Sequence, residues 1–130
     1  MVRTWMAFAI TSVLVAGVAP AEPPEPAPTS QSDPISANDP EFMAIFTQQY
    51  RDAFRDGAIP AKYKQLSGAT LSVVLRCEEC LRSHVQSAIK LGADRREIVE
   101  ALRIGLLTGG SASLPTIEAA YAVMAEAKLR

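Results

Sequence analysis

From Asn38 onward, apolar side chains recur every three to four residues, and this helical period limits the fold more than any other feature of the sequence. Glycine and proline divide the pattern at Gly57, Pro60, Gly92 and Gly109, and no segment shows a convincing strand pattern. We therefore predict an all-α domain of about five helices. The predicted helices cover approximately residues 38–57, 60–75, 77–92, 94–107 and 114–128.

Side chains with known preferences for helix ends support these bounds. Asn38 or Asp39 can cap the first helix, because Pro40 follows in its first turn. Asp94 and Glu97 have the spacing of a capping box, in which each side chain binds a free backbone amide of the other. Gly57 and Gly92 are interpreted as the glycines that end the first and third helices.

Apolar stripes indicate which helix faces form the core. The stripe on the first helix is interpreted as core packing and comprises Phe42, Met43, Ile45, Phe46, Tyr50, Ala53 and Phe54. The inward faces of the second and last helices comprise Leu66, Ala69, Thr70, Val73 and Val74, and Ile117, Tyr121, Val123 and Met124. The fourth helix is apolar nearly all round, so we expect a partner subunit to cover part of it. Gly68 has no side chain, and another backbone can approach closely there.

The first residues of the sequence have the pattern of an export signal rather than of a folded domain. Met6–Val18 is almost wholly apolar and is followed by the small residues of Ala19-Pro20-Ala21, which predicts a signal peptide over residues 1–21, cleaved after Ala21. An uncleaved N-terminal membrane anchor is the alternative, although the apolar run is short for a bilayer. Residues 22–37 are rich in proline and are predicted to be an extended linker before the helical domain at 38–130. We therefore expect an exported protein, periplasmic or secreted.

Composition limits the size of the fold and its partners. The chain has 130 residues, of which 48% are hydrophobic, and this suits one domain after the linker. Its formal net charge is -1, which gives no reason to expect nucleic-acid binding. A small domain buries a modest fraction of its surface, so assembly into a homo-oligomer would stabilise it.

The only 2 cysteines and the only histidine of the chain form one cluster, Cys77-x-x-Cys80-x-x-x-His84. Residues three and four apart share one face of a helix, so the two sulfurs and the imidazole lie together at the start of the third predicted helix. The helix dipole stabilises a thiolate there, and a histidine one turn further along can accept its proton. A thiol pair with a neighbouring base is what reversible thiol–disulfide exchange requires.

Two other interpretations of the cluster stay open beside the redox pair. A structural disulfide is compatible with an exported protein, although its short loop would constrain the unfolded chain only modestly. A zinc site would have three ligands and no second cysteine pair to complete it, so we expect no metal and no other cofactor. Glu78 and Glu79 oppose a thiolate electrostatically, whereas Arg76 and Arg82 offset them. The shared helical face favours the redox pair.

The ordered set of motifs resembles the alkylhydroperoxidase D-like, carboxymuconolactone decarboxylase superfamily over approximately residues 42–124. The resemblance is carried by 62–66 (KYKQL), 76–80 (RCEEC) and His84, followed by 88–93 (AIKLGA), 96–101 (REIVEA) and Gly109-Gly110. It implies an all-α fold that assembles as trimers or hexamers. Members with the cysteine pair are thiol-dependent peroxidases or disulfide reductases, whereas the decarboxylases of the superfamily lack the pair.

The resemblance also assigns roles to individual residues. Cys80 would be the attacking thiol, Cys77 the resolving thiol nearer to solvent, and His84 the histidine of the proton relay. The family usually places a glutamate twelve residues before the first cysteine, and this chain has Gln65 there. A glutamine can orient a histidine or a water molecule but cannot take a proton, so Gln65 is expected to line the site.

We therefore predict a thiol-dependent peroxidase or thiol–disulfide oxidoreductase. Its expected partners are a hydroperoxide or disulfide substrate, an unidentified thiol reductant, and copies of itself. The alternatives are a non-enzymatic oligomeric module with a structural disulfide, and a carboxymuconolactone decarboxylase-like lyase with His84 as base.

Overall fold

The computed structural model describes residues 34–130, and within them every regular element is helical. The predicted signal peptide and residues 22–33 of the predicted linker lie outside the described residues. The helices are α1 (Pro34–Asn38), α2 (Pro40–Phe54), α3 (Ala61–Leu75), α4 (Glu78–Lys90), α5 (Arg95–Gly109) and α6 (Leu114–Glu126), with a 3-10 turn at Ser111–Ser113. The all-α prediction is confirmed, with the short α1 as an additional helix that takes in residues 34–37 of the predicted linker.

Helix α3 is the centre of the fold, because it packs against both α4 and α5, and α4 in turn packs against α6. The faces that meet form one apolar core. Its members include Leu66, Ala69 and Val73 of α3, Leu81, Val85 and Ala88 of α4, Ile98 and Leu102 of α5, and Ala120, Val123 and Met124 of α6. The predicted inward faces of the second and last helices are thus largely confirmed. Tyr121 is the exception, since it is exposed and its ring lies 6.0 Å from the Arg95 guanidinium carbon.

The predicted helix starts are confirmed by their hydrogen bonds. The Asp39 carboxylate accepts from the Phe42 amide at 3.1 Å, which caps α2. At the start of α5, Asp94 accepts from the Glu97 amide at 2.9 Å and Glu97 accepts from the Asp94 amide at 3.0 Å, so the capping box is complete. Gly92 follows α4 with a left-handed φ of 82°, as a helix-ending glycine requires.

The predicted end of the first helix at Gly57 is wrong, because α2 stops at Phe54. The cause is a contact from another helix: Lys64 Nζ on α3 donates to the carbonyl oxygens of Ala53 and Arg55, each at 2.8 Å. These carbonyls lie at the end of α2, where intrahelical donors run out. Since Lys64 satisfies them, the helix ends without a left-handed glycine.

The core role predicted for the α2 stripe is also wrong within the single chain. Phe42, Ile45 and Phe46 are 51%, 54% and 49% exposed, and no residue of α2 is buried. On α5, Ile104 and Leu107 are likewise exposed. The period of a pattern shows which face of a helix is apolar, but it does not show what covers that face. Among residues 34–130, no helix has the length and apolar character needed to cross a bilayer.

Candidate redox site

The junction between α3 and α4 places the two cysteines. Arg76 follows α3 in the left-handed conformation, with φ 57° and ψ 38°, and the chain reverses there. The Cys77 amide donates to the Ser72 carbonyl at 3.0 Å, which fixes Cys77 against the end of α3. Cys77 is then the N-cap residue of α4, because its Sγ accepts from the Cys80 amide at 3.3 Å. Both sulfurs therefore lie at the positive end of the α4 dipole.

Cys77 and Cys80 are joined by a disulfide, with their Cα atoms 5.3 Å apart. Within the single chain, Cys77 is half-buried and Cys80 is exposed. This is the reverse of the exposure that the family resemblance implied. The reason is local: Cys77 is held against α3 by its backbone hydrogen bond to Ser72, whereas Cys80 lies in the first turn of α4.

His84 lies on α4 one turn beyond Cys80, and its ring packs directly on the backbone of α3. A Cβ atom on Gly68 would lie 2.6 Å from both Nδ1 and Cε1 of the imidazole, closer than any real contact. Gly68 was predicted to admit another backbone, but the group that it admits is this side chain. Any larger residue at position 68 would force the imidazole out of its place.

Gln65 is the hydrogen-bond partner of this imidazole. Its side chain is fully buried on α3, and its Oε1 lies 2.7 Å from His84 Nδ1. A carbonyl oxygen only accepts, so in this amide orientation Nδ1 carries the proton and Nε2 is the basic nitrogen. The prediction that Gln65 lines the site is consistent with this contact.

Two aromatic side chains of α2 cover the imidazole on another side. The Tyr50 ring stacks near His84 with centroids 6.5 Å apart, and the Phe54 ring lies at 5.2 Å. The apolar period of α2 predicts a core position for both residues and gives no sign of this contact. Their four-residue spacing puts them on one face of α2, but the spacing alone does not show that a histidine meets that face.

The electrostatics of the site follow from burial without a counter-charge. Burial lowers the pKa of His84 below its ordinary value of 6.5, so the ring is neutral at neutral pH and can accept a proton. Its direct partner is the uncharged Gln65, so no carboxylate raises that pKa. Within residues 34–130, no group of three or more histidine, cysteine or acidic side chains is placed to hold a metal ion.

The fold and the site define a helical protein with a cysteine pair at the start of one helix and a histidine behind it. A sequence model of the Carboxymuconolactone decarboxylase family matches residues 40–126, and the chain belongs to this family. Two uncharacterized bacterial proteins are related to it. One, from Cupriavidus necator, is 32% identical over 71 residues, which cover 55% of this chain and 63% of that protein, less than two thirds of its length. The other, from the cox locus of Paracoccus denitrificans, is 32% identical over 88 residues, covering 68% of this chain and 76% of the other.

Solved structures of similar proteins share the fold. A Thermotoga maritima protein is 32% identical and superposes with a TM-score of 0.68, covering 73% of this chain and 83% of its own. A second crystal structure of the same Thermotoga maritima protein, described as a family member with a suggested part in the antioxidative response, is 35% identical with a TM-score of 0.60, covering 71% and 91%. A carboxymuconolactone decarboxylase family protein of Legionella pneumophila in its apo form is 32% identical with a TM-score of 0.66, covering 72% and 83%.

Proposed function

We propose that this protein is a thiol–disulfide oxidoreductase of the thiol-dependent peroxidase type, with Cys77 and Cys80 as its redox pair. The observation that carries the proposal is the placement of an exposed cysteine residue, Cys80, at a helix start with the half-buried His84 one turn away. A structural disulfide needs neither an accessible sulfur nor a base beside it. The part in the antioxidative response that is suggested for the Thermotoga relative supports the same class of reaction.

The reaction begins with the reduced pair. The Cys80 thiol gives its proton to His84 Nε2, and the thiolate attacks the terminal oxygen of a hydroperoxide. The O–O bond breaks, Cys80 becomes a sulfenic acid, and the alkoxide takes a proton from the imidazolium and leaves as an alcohol. The Cys77 thiol then displaces water from the sulfenic acid and forms the disulfide. A thiol reductant supplies two electrons and two protons and restores both thiols.

Gln65 takes part of the role that the family's carboxylate would have in this relay, because it orients His84. The dipole of α4 stabilises the thiolate. Gln65 holds His84 Nδ1–H through a 2.7 Å hydrogen bond, so the proton from Cys80 goes to Nε2. The amide adds no negative charge, and the pKa of His84 is lowered by burial. We therefore expect this protein to exchange disulfides faster than it reduces peroxides. Its peroxide turnover should also be slower than that of family members with the glutamate. The exposure of Cys80 also favours a disulfide substrate, since the attacking sulfur must reach the sulfur that it attacks.

The direct test follows the thiols of the reduced protein. Mixing with an organic hydroperoxide, or with a small disulfide in a parallel experiment, should consume two thiols per chain and form the Cys77–Cys80 disulfide. Cys80→Ser should reduce both rates to the background of the reagents alone. Rates that survive this substitution would rule out Cys80 as the nucleophile.

Cys77→Ser is the matched control for Cys80→Ser. It removes one sulfur of the pair but leaves the nucleophile, so a single turnover should still occur: the hydroperoxide should leave a sulfenic acid on Cys80, and the small disulfide should leave a mixed disulfide there. A sulfenic-acid reagent and intact-mass measurement detect these products. If both variants behave alike and neither wild-type reaction exceeds background, the disulfide is structural and the proposal fails.

A lyase on the same scaffold remains the competing enzyme class, because the family is named for a decarboxylase. The discriminating measurement is decarboxylation of a carboxylated lactone by the double variant Cys77→Ser/Cys80→Ser. Turnover that survives without either sulfur and disappears in His84→Gln would favour the lyase.

We also propose that the protein is exported and forms a trimer or a hexamer. Large apolar side chains that stay exposed within residues 34–130 support assembly, and they include Phe42, Ile45, Phe46, Leu71, Leu75, Ile104 and Leu107. Analytical ultracentrifugation should give a single species of three or six chains, and a monomer would overturn the assembly.

The proposed cleavage on export would remove Trp5, the only tryptophan. A protein from the exported fraction whose intact mass still includes residues 1–21 would contradict cleavage after Ala21.

A further inference from the structure

The carbonyl groups of the residues before and after Phe54 are held by one side chain from another helix. Lys64 Nζ of α3 donates to the carbonyl oxygens of Ala53 and Arg55, each at 2.8 Å. Hydrogen bonds from a charged donor are stronger than those between neutral groups, and two of them to neighbouring carbonyls restrain the backbone between them. Phe54, the last residue of α2, is therefore fixed relative to α3 at its backbone.

Helix α3 also carries the surface on which the His84 ring lies. Gln65 follows Lys64 directly and meets Nδ1 at 2.7 Å, and Gly68 lets the ring pack against the α3 backbone. The Phe54 ring covers the imidazole from α2, with the ring centroids 5.2 Å apart and the ring planes tilted by 35°. Two adjacent residues of α3 thus hold the imidazole and its cover.

Helix α2 is otherwise weakly packed, so the ammonium matters for where its last ring lies. No residue of α2 is buried, and the apolar side chains of its stripe are about half-exposed. After α2, the Asp56 carboxylate accepts from the Ala61 amide at 2.7 Å, which ties the connecting segment to the start of α3. The end of α2 is therefore attached to α3 by polar contacts rather than by burial in the core.

We propose that Lys64 is a positioning residue, whose ammonium keeps the Phe54 ring over His84 and so shields the proton acceptor from bulk water. The proposal rests on the proposed function, in which His84 takes the proton of Cys80. Lys64 acts through Phe54, because its own hydrogen bonds go to the backbone of α2.

The groups around the imidazole carry no charge in mildly acidic solution. Helix α3 contributes Gln65 and Gly68. Helix α2 contributes Phe54 and the phenol of Tyr50, whose pKa is raised by burial. On α4 itself, positions 80, 81, 87 and 88 lie one turn away and are a cysteine, a leucine, a serine and an alanine. Shielding from water is therefore the main influence on the protonation of the ring, and burial lowers the pKa of His84 below 6.5.

The shield sets the range of pH in which His84 can act as a base. Only the neutral ring accepts a proton, and a lowered pKa keeps the ring neutral in more acidic solution. Loss of the cover hydrates the ring, so the pKa of His84 should rise toward 6.5. Lys64 thereby extends the working range of the proton acceptor into mildly acidic solution.

The first test titrates the ring itself. The chain has 1 histidine, so the signals of ¹⁵N-labelled histidine report on His84 alone. The disulfide form is used, because its sulfurs do not titrate. Lys64→Met keeps the length of the side chain but removes the ammonium, and the pKa of His84 should rise above its wild-type value. The amide spectrum of α3 and α4 shows that the variant is folded.

The second test is the pH profile of thiol oxidation in the reduced protein. The ratio of the Lys64→Met rate to the wild-type rate should stay within about twofold at about pH 7.5, where both rings are neutral. At about pH 5.5 the ratio should fall by up to about tenfold, because a ring with an ordinary pKa is then about one-tenth neutral. A ratio that is the same at both pH values would contradict the shield.

A double-variant comparison separates the ring from the charge of the ammonium. Phe54→Ala should raise the pKa of His84 by itself, and it leaves the core intact because α2 contributes no buried residue. In the Phe54→Ala protein, adding Lys64→Met should change the pKa no further, since the ring through which Lys64 acts is gone. An equal effect of Lys64→Met with and without Phe54 would show a direct effect of charge and overturn the proposal.

Lys62→Met is the matched control on the same helix. It removes the same group two residues earlier, where the ammonium binds Glu97 of α5 at 2.7 Å and not α2. The titration of His84 and the rate ratio should both stay as in wild type. A pKa that rises as much in Lys62→Met would mean that any lost lysine on α3 has this effect, which would overturn the specific role of Lys64.

The outcomes separate this proposal from the proposed function. An unchanged titration of His84 in Lys64→Met would overturn the role of Lys64, even in an active oxidoreductase. A pKa that rises only when Phe54 is present, in a protein without any redox activity, would support the positioning role and overturn the proposed function instead.

Discussion

The α3–α4 pair and helix α2 both contribute to the site, but they are held in very different ways. The pair carries the disulfide, His84 and Gln65 on helices whose inner faces are fully packed. Helix α2 has no buried residue and contacts the site through the half-buried Tyr50 and Phe54. The disulfide, His84 and Gln65 are thus on the well-packed part of the molecule, and the rings that cover His84 are on the loosely attached part.

This difference has a consequence for dynamics. Regions with few buried apolar contacts open at a small fraction of the global free energy of unfolding. We therefore expect α2 to open more readily than the core, with amides that exchange faster than those of α3 and α4. Four contrasts, given in order of expected effect, test how differently the two regions are held in place.

The largest contrast should come from removing one apolar side chain in each region. Leu81→Ala on α4 empties a fully buried position and should lower the free energy of unfolding by about 2–5 kcal/mol. Ile45→Ala on α2 should change it by no more than about 0.5 kcal/mol in dilute protein, since that side chain is 54% exposed. Denaturant titrations at low and high protein concentration measure both effects.

Assembly makes a distinct prediction for the same two variants. If copies of the chain bury the α2 stripe, the cost of Ile45→Ala should grow with protein concentration, while that of Leu81→Ala should stay constant. An equal cost for both variants in dilute protein would mean that α2 is held as firmly as the core.

The second contrast concerns two glycines. Gly68→Ala places a methyl group 2.6 Å from ring atoms of His84 and should cost about 1–3 kcal/mol, as overpacking does. Gly57→Ala is the control beyond α2, because its nearest neighbour would be Lys64 Nζ at an ordinary 3.8 Å, and its effect should stay within about 0.5 kcal/mol. Thermal unfolding and the ¹⁵N signals of His84 should both change for Gly68→Ala only. A Gly68→Ala protein with unchanged histidine signals would contradict the packing of the ring on α3.

The third contrast tests the hydrogen bonds by which Lys64 of α3 attaches the end of α2. Lys64→Met keeps the length of the side chain but removes the ammonium that binds the carbonyls of Ala53 and Arg55. Hydrogen exchange of α2 amides should become about fivefold faster, corresponding to a loss of about 1 kcal/mol, with α3 and α4 unaffected. Lys90→Met removes the same charge from the end of α4 and serves as the control. Uniform acceleration in all helices would mean that α2 unfolds with the core.

The smallest effect should be the pH dependence that His84 gives to the α3–α4 pair. Burial lowers the pKa of His84 from 6.5, so the unfolded chain binds the proton more readily than the folded one. The free energy of unfolding should therefore decrease as pH falls from about 6.5 to the folded pKa, below which this contribution stays constant. His84→Gln should flatten the curve over that interval. A wild-type protein that becomes more stable there would contradict the burial of the ring.

Much of the α3–α4 pair could be predicted from sequence. Capping signals near the helix start are local, so the bounds of α4 and α5 and the capping box at Asp94 were found from a few residues. The spacing of Cys77, Cys80 and His84 placed them on one face, because that face depends only on the helical period. The resemblance supplied Gln65, whose contact with His84 spans 19 residues of sequence and has no local signal.

The features that escaped prediction depend on contacts between elements. The end of α2 is set by Lys64, which lies on another helix. Tyr50 and Phe54 have the same apolar pattern whether they meet leucine or histidine, so their place in the site could not be read from it. Which of Cys77 and Cys80 faces solvent depends on how α4 turns against α3, and the spacing is the same in both cases.

Gln65 and Gly68, three residues apart on one face of α3, together form a receptor for an imidazole. Gln65 supplies the hydrogen-bond partner, and Gly68 supplies the space for the ring. Because α3 and α4 are joined by a tight turn, receptor, histidine and both sulfurs lie within a single helical hairpin from Ala61 to Lys90. Under the proposed function, this one hairpin carries every protein group that the thiol–disulfide exchange uses.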